Sequence, residues 1–130
     1  ARKWSEDKKG KEYSTIITLK NSFHGRTITT LAATGQDVFH HDFLPLTDGF
    51  VYAEPNDLAD LARLIAENKC AAVMMEVVQG EGGVRPASQE FLQGLRMSRA
   101  RRSCVRKTIC CSSATRCRSA TGAAACSTAI

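Results

Sequence analysis

The sequence predicts an α/β fold, a mostly parallel sheet with flanking helices. Two runs of strand length carry this reading. Thr15-Ile16-Ile17-Thr18-Leu19 is rich in β-branched residues, and Ala71-Ala72-Val73-Met74-Met75 is continuously apolar, as in a buried parallel strand. Between them lies a stretch with helical apolar spacing, and strands that alternate with helices form parallel sheets. Polar, glycine-containing loops follow both runs, where ligands sit in such sheets.

Taken in order, Arg2 to Lys9 is charged and reads as an exposed helix end stopped by Gly10. The strand Thr15–Leu19 runs into a polar turn, Lys20-Asn21-Ser22. Phe23-His24-Gly25-Arg26 follows, and Thr27 to Thr34 opens a helix that stops at Gly35. Asp37 to Gly49 is irregular, with Pro45 and the aromatic residues Phe39 and Phe43. Phe50-Val51-Tyr52-Ala53 reads as a second short strand. Asn56 or Asp57 is a good helix N-cap, and Leu58, Leu61, Leu64 and Ile65 then mark one apolar face. Asn68 and Lys69 close that helix. The apolar strand Ala71 to Met75 ends at Glu76. Val77 to Val84 reads as a glycine-rich loop. Pro86 and Ser88 precede a last helix with Phe91, Leu92 and Leu95 apolar.

The chain has 130 residues, enough for one domain of modest core. At 43% apolar and 24% charged, it is neither wholly disordered nor collagen-like. No apolar run approaches the ~18 residues a membrane helix needs, so no membrane partner is expected. The opening, Ala1 to Lys11, is polar and lacks a secretory signal. It also lacks a Met, as a piece of a longer protein would.

The net charge of +5 is unevenly spread. Seven Lys and Arg follow Arg96, and no Asp or Glu follows Glu90. Residues 1–96 therefore hold 11 cations and 13 anions, a net of −2, and the tail holds +7. Five of the six Cys also lie in the tail. The composition breaks near Met97, giving two parts, residues 1–96 and an atypical basic, Cys-rich tail at 97–130.

Several residues of the first part carry chemistry. Phe23 beside Gly25 and Arg26 offers a flat ring, a permissive backbone and a fixed cation. A ring can stack on a planar cofactor, and Arg binds a carboxylate through two parallel hydrogen bonds. On spacing alone the plainer reading, a core Phe and a surface Arg, is favoured. His24 is either an acid or base, or a side chain hydrogen-bonded in a turn. Glu76 ends an apolar strand, so it is partly buried and needs a partner, as functional carboxylates often do. Glu81 lies between Gly80 and Gly82, on a loop able to approach a ligand or simply in a solvated turn. The glycines match neither a dinucleotide fingerprint nor a phosphate-binding P-loop.

Asn21-Ser22-Phe23-His24-Gly25-Arg26-Thr27 together with Glu76-Val77-Val78-Gln79-Gly80-Glu81-Gly82-Gly83-Val84 resembles the class-III, pyridoxal-phosphate-dependent aminotransferases, nearest the branch that acts on acetylornithine. Thr30 to Gln36 and Phe91 to Arg96 add to the likeness, which covers residues 1–96. The resemblance implies part of the large domain of a fold type I transferase. It implies that Phe23 stacks on the pyridine ring of pyridoxal 5'-phosphate and that Glu76 lies close to that cofactor. Arg26 would hold the α-carboxylate of the amino-acid donor or of 2-oxoglutarate, and Glu81 would lie near the substrate side chain. The family's enzymes are homodimers with active sites at the subunit interface. The implied reaction moves the terminal amino group of N-acetylornithine, or of a similar ω-amino donor, to 2-oxoglutarate in cytoplasmic arginine biosynthesis.

The family's Schiff-base Lys and its phosphate-holding turn would lie outside this chain. An Asp-Glu-Val-Gln segment, whose Asp pairs with the pyridine nitrogen, is expected soon after Arg96 and is absent. The chain alone is therefore expected to be inactive.

A shifted reading frame accounts for the tail. Taking the last base of each codon with the first two of the next, the Cys110-Cys111 junction must encode Leu. Running on from Thr108, the allowed choices include His-Leu-Leu-Leu-Ile, one further residue, then Asp-Glu-Val-Gln. A frameshift between Arg96 and Ser103, from a sequencing error or a damaged gene, explains a tail without acids. As written, the tail has too little large apolar surface to order itself. Cys110, Cys111 and Cys117 lack metal-site spacing, and no His follows His41, so no metal is expected. The alternative is a non-catalytic basic binding module acting through residues 97–130. No aromatic residue is present there to stack on bases, so nucleic acid is not the expected partner.

Overall fold

In the computed structural model, residues 1–101 are described along the backbone and residues 1–96 with their side chains. The tail predicted at 97–130, with its frameshift and its alternative binding role, lies outside the described residues apart from the backbone of one last helical turn.

Among the described residues, three parallel strands form the main sheet: β1 (Thr15–Leu19) in the centre, β2 (Phe50–Ala53) on one side and β3 (Cys70–Val73) on the other. Ile16 pairs with Phe50 and Leu19 with Ala53, while Ile17 lies opposite Val73. The expected strand at Ala71–Met75 starts one residue earlier and ends at Val73, although Met74 N–H still donates to Ile17 O at 2.8 Å. β1 and β2 are each followed by a connection that returns the chain to the amino edge. One contains α2 (Ile28–Ala33) and the next α3 (Leu58–Glu67).

The local rules are visible at the starts of α2 and α3. Thr27 and Thr30 form a reciprocal capping box at α2. Asp57 caps α3, its carboxylate accepting from Ala59 N–H at 2.9 Å and Asp60 N–H at 3.0 Å. The apolar stripe of α3 puts Leu61 and Leu64 into the core with Ile17, Leu19, Val73, Met75 and Phe91. Phe91 comes from the final helix, α4 (Gln89–Arg101), which meets α3 where Gly94 faces Leu58. This helix passes through the composition break at Met97 without a stop.

The first helix, α1 (Arg2–Lys9), does more than present charge. The Arg2 guanidinium donates to Ser14 O at 3.1 Å and Asp48 O at 2.6 Å, and it stands 5.2 Å from the Phe50 ring centroid. Lys9 Nζ donates to Cys70 O at 3.3 Å. Two cations of one helix thus bind carbonyls at or just before the amino ends of all three strands. Periodicity could not show this, because the partners are distant in sequence.

The glycine-rich segment after Glu76 is not one continuous loop. β4 (Val78–Gln79) pairs antiparallel with β5 (Arg85–Pro86), Gln79 opposite Arg85. Val84 N–H to Gly80 O at 3.3 Å closes the turn. The paired runs are two residues each, too short for an alternating pattern to reveal.

Candidate active site

Parallel strands bring their carboxyl ends to one edge. Three loops gather there: Lys20 to Thr27 after β1, Glu54 to Asp57 after β2, and Met74 to Val77 after β3. A cleft of about 290 Å³ opens between them and the β4–β5 hairpin, with Asn21, Glu54, Asn56, Glu76, Gln79 and Arg85 among its lining residues.

Phe23 joins the first and third loops. Its backbone N–H donates to Glu76 Oε2 at 3.0 Å. Its half-buried ring meets the Phe39 ring edge-on, with centroids 5.9 Å apart. The Arg26 guanidinium lies 5.8 Å from the same ring centroid, within cation–π reach. Phe23, Arg26 and Glu76, chosen from sequence, therefore form one cluster. Neither plain alternative describes it fully, since Phe23 is only half-buried and the exposed Arg26 sits against its ring.

Glu76 is 9% exposed. Burial pushes its carboxyl pKa up; the Phe23 N–H, a donor to the carboxylate, pulls the other way, and the nearby charge of Glu81 adds to the rise. Glu81 stands exposed in the hairpin turn, so its link to the cluster is electrostatic.

His24 departs from the turn-bonded histidine the sequence suggested. The side chain is 7% exposed, and neither ring nitrogen has a hydrogen-bond partner among the described residues. Burial lowers its pKa to about 4, so the ring is neutral near pH 7. What is bonded is its backbone: His24 N–H donates to Thr34 Oγ1 at 3.0 Å.

Gly25 follows at φ 131°, a conformation that side chains rarely adopt, and an added Cβ would lie 2.7 Å from Thr30 Oγ1. At Gly82 the constraint is close approach, since a Cβ there would lie 2.5 Å from Asn21 O. Gln79, 3% exposed, completes the junction, its Nε2 donating to Lys20 O at 2.8 Å. The hairpin thus closes directly on the loop after β1.

Sequence reasoning missed Phe39, Thr34 and Gln79. Phe39 was visible only as one aromatic residue of an irregular segment. Thr34 and Gln79 act through contacts 10 and 59 residues away, which leave no local pattern. Among the described residues, no group of three or more His, Cys, Asp or Glu could hold a metal ion, and no helix is long and apolar enough to cross a membrane.

Comparison with known proteins places this geometry. The family model of class-III aminotransferases matches residues 1–105. An acetylornithine aminotransferase of Haemophilus ducreyi is 56% identical over 95 residues, which cover 73% of this chain and 24% of the relative. A succinylornithine transaminase of Salmonella newport is 50% identical over 96 residues, 74% of this chain and 23% of the relative. The chain thus spans about a quarter of the length of these curated relatives.

Among solved structures, the ornithine aminotransferase of Toxoplasma gondii superposes with a TM-score of 0.69 at 28% identity, over 76% of this chain and 24% of that one. That structure shows partial occupancy of PLP at its active site. A transaminase of the marine bacterium Virgibacillus gives 0.66 at 26% identity, over 73% and 24%. Both loop motifs lie at the carboxyl edge of a parallel sheet shared with these transaminases, and the chain belongs to the class-III aminotransferase family.

Proposed function

We propose that this chain is the cofactor-facing part of the large domain of an aminotransferase. The enzyme uses pyridoxal 5'-phosphate to move the terminal amino group of N-acetylornithine, or of a similar ω-amino donor, to 2-oxoglutarate. The observation that carries the reading is the cluster at the carboxyl edge, where one loop presents ring and guanidinium and Glu76 holds that loop. The half-buried ring and the buried carboxyl beside it fit one wall of a planar, aromatic cofactor. The bound cofactor supplies an electron sink for bond breaking at the amino carbon.

The chain's own residues bind and orient. Phe23 packs its ring against the cofactor. Arg26 offers two parallel N–H donors to a substrate carboxylate, a planar match that Lys lacks. Glu76 fixes the Phe23 backbone, and Glu81 borders the substrate side chain. The enzyme works as a homodimer in the cytoplasm, in arginine biosynthesis. This chain by itself is inactive, because the Lys that the chemistry requires belongs to none of its motifs.

The test is a full-length chimera. The matching 95-residue stretch of the Haemophilus ducreyi enzyme is replaced by that of this chain. Amino transfer from N-acetylornithine to 2-oxoglutarate is expected to persist. Arg26→Ala within the chimera is expected to raise KM for 2-oxoglutarate about 10-fold or more, the size of a charge-assisted hydrogen bond. A folded chimera that binds the cofactor but transfers no amino group would overturn the reading.

A further inference from the structure

The segment that carries Phe23 and Arg26 is anchored at successive backbone N–H groups. Asn21 N–H donates to Gly35 O at 2.7 Å and Ser22 N–H to Leu19 O at 3.3 Å. Phe23 N–H goes to Glu76 Oε2 and His24 N–H to Thr34 Oγ1, both at 3.0 Å. The next residue, Gly25, is held at φ 131°, and just past Arg26 the Thr27 N–H donates to Thr30 Oγ1 at 3.0 Å. The anchors on either side of the Gly25–Arg26 turn are therefore those on His24 and Thr27. The His24 ring makes no hydrogen bond among the described residues, so the directional hold on this residue is its backbone bond.

Thr34 is built for that task. It is fully buried at the carboxyl end of α2. Its hydroxyl donates to Thr30 O at 3.0 Å, one helical turn back, which fixes the proton and turns a lone pair to His24 N–H. Alongside it, Gly35 N–H donates to Ser22 Oγ at 3.2 Å and Gln36 Nε2 to Ser22 O at 3.2 Å. The end of α2 and the segment after β1 are thus cross-linked side chain to backbone in both directions.

We propose that Thr34 is a positioning residue for substrate and cofactor binding: its hydroxyl sets where the Phe23 ring and the Arg26 guanidinium stand relative to each other. The claim rests on the functional reading above. Val keeps the shape of Thr but offers no acceptor, leaving a buried N–H unpaired. Ser keeps the acceptor and drops a methyl group.

The test uses the same full-length chimera and two independent readouts. The first is amide hydrogen exchange of the Phe23–Arg26 segment. Thr34→Val is expected to speed it about 10-fold or more, with α3 and β3 unchanged, and Thr34→Ser to leave it near the parent rate. The second is steady-state kinetics. Thr34→Val is expected to raise KM for 2-oxoglutarate by a similar factor with a smaller change in kcat, and Thr34→Ser to restore it. Should Thr34→Val lose protection throughout, Thr34→Cys, a weaker acceptor of similar size, takes its place and is expected between Thr and Val.

Unchanged exchange of the segment in Thr34→Val, or a Ser variant that behaves like Val, would overturn the positioning role. An inactive but folded chimera overturns the functional reading alone, because the exchange measurement still decides the anchoring that the role requires. Activity in the parent chimera with no shift in KM for Thr34→Val would overturn the role alone.

Discussion

The buried ring of His24 makes a quantitative prediction about acid stability. Burial lowers its pKa from 6.5 to about 4, and no charged neighbour contributes. A base with a depressed pKa adds stability that is present above the unfolded value and is lost as pH falls through the folded one. At pH 4.5 the unfolded imidazole is almost wholly protonated, whereas the folded one is mostly neutral. The difference corresponds to about 2–3 kcal/mol of stability lost between pH 7.5 and pH 4.5. His24→Leu removes the titrating group and two buried nitrogens that lack partners among the described residues. Urea unfolding of the chimera and its His24→Leu variant at both pH values, at one protein concentration, isolates this contribution. Carboxylates common to both cancel in the comparison. The variant is expected to gain about 2–3 kcal/mol on its parent as pH falls from 7.5 to 4.5. A gap equal at the two pH values would show that the ring protonates freely. The packing of the Phe23–Arg26 segment described above would then be wrong.

Four further outcomes are expected. The raised pKa of Glu76 has the opposite sign: its favourable contribution is present below the unfolded pKa and fades as pH rises through the folded one, so Glu76→Gln should flatten that decline with rising pH in urea titrations. Because the amide oxygen of Gln can still accept the Phe23 N–H, Glu76→Ala should be the less stable of the two by about 1–3 kcal/mol. Gly82→Ala places a Cβ 2.5 Å from Asn21 O, and it should cost about 1–3 kcal/mol by thermal or urea unfolding and slacken the Gln79–Lys20 contact. Resequencing the source locus across codons 94 to 130, and extending it on both sides, should return an in-frame Asp-Glu-Val-Gln and, further downstream, a Lys codon; a confirmed Cys- and Arg-rich reading ending in a stop would refute the frameshift.

The elements were legible wherever one short-range force dominates. A β-branched run marked β1, an apolar run marked β3, the Leu58–Ile65 stripe marked α3, and Asn56 or Asp57 marked its start. Even the positions of Phe23 and Glu76 beyond the strand ends followed from the order of strands and helices. The β4–β5 hairpin escaped because four paired residues leave no period to read. The clamp of α1 on the three strand starts escaped because Arg2 and Lys9 act on backbone carbonyls, which every residue possesses.

By itself the sequence determined the order of the three parallel strands and their helices, the two polar loops beyond the strand ends, and the family whose motifs they match. Those features depend on residue type and spacing, which the chain states directly. Only the tertiary structure decided which groups meet: the carboxylate of Glu76 on the N–H of Phe23, the hydroxyl of Thr34 on the N–H of His24, the guanidinium of Arg26 beside the Phe23 ring. A hydrogen bond requires its partners within about 3 Å and well aligned. That condition is set by how the sheet, the hairpin and α2 pack, and not by any residue alone.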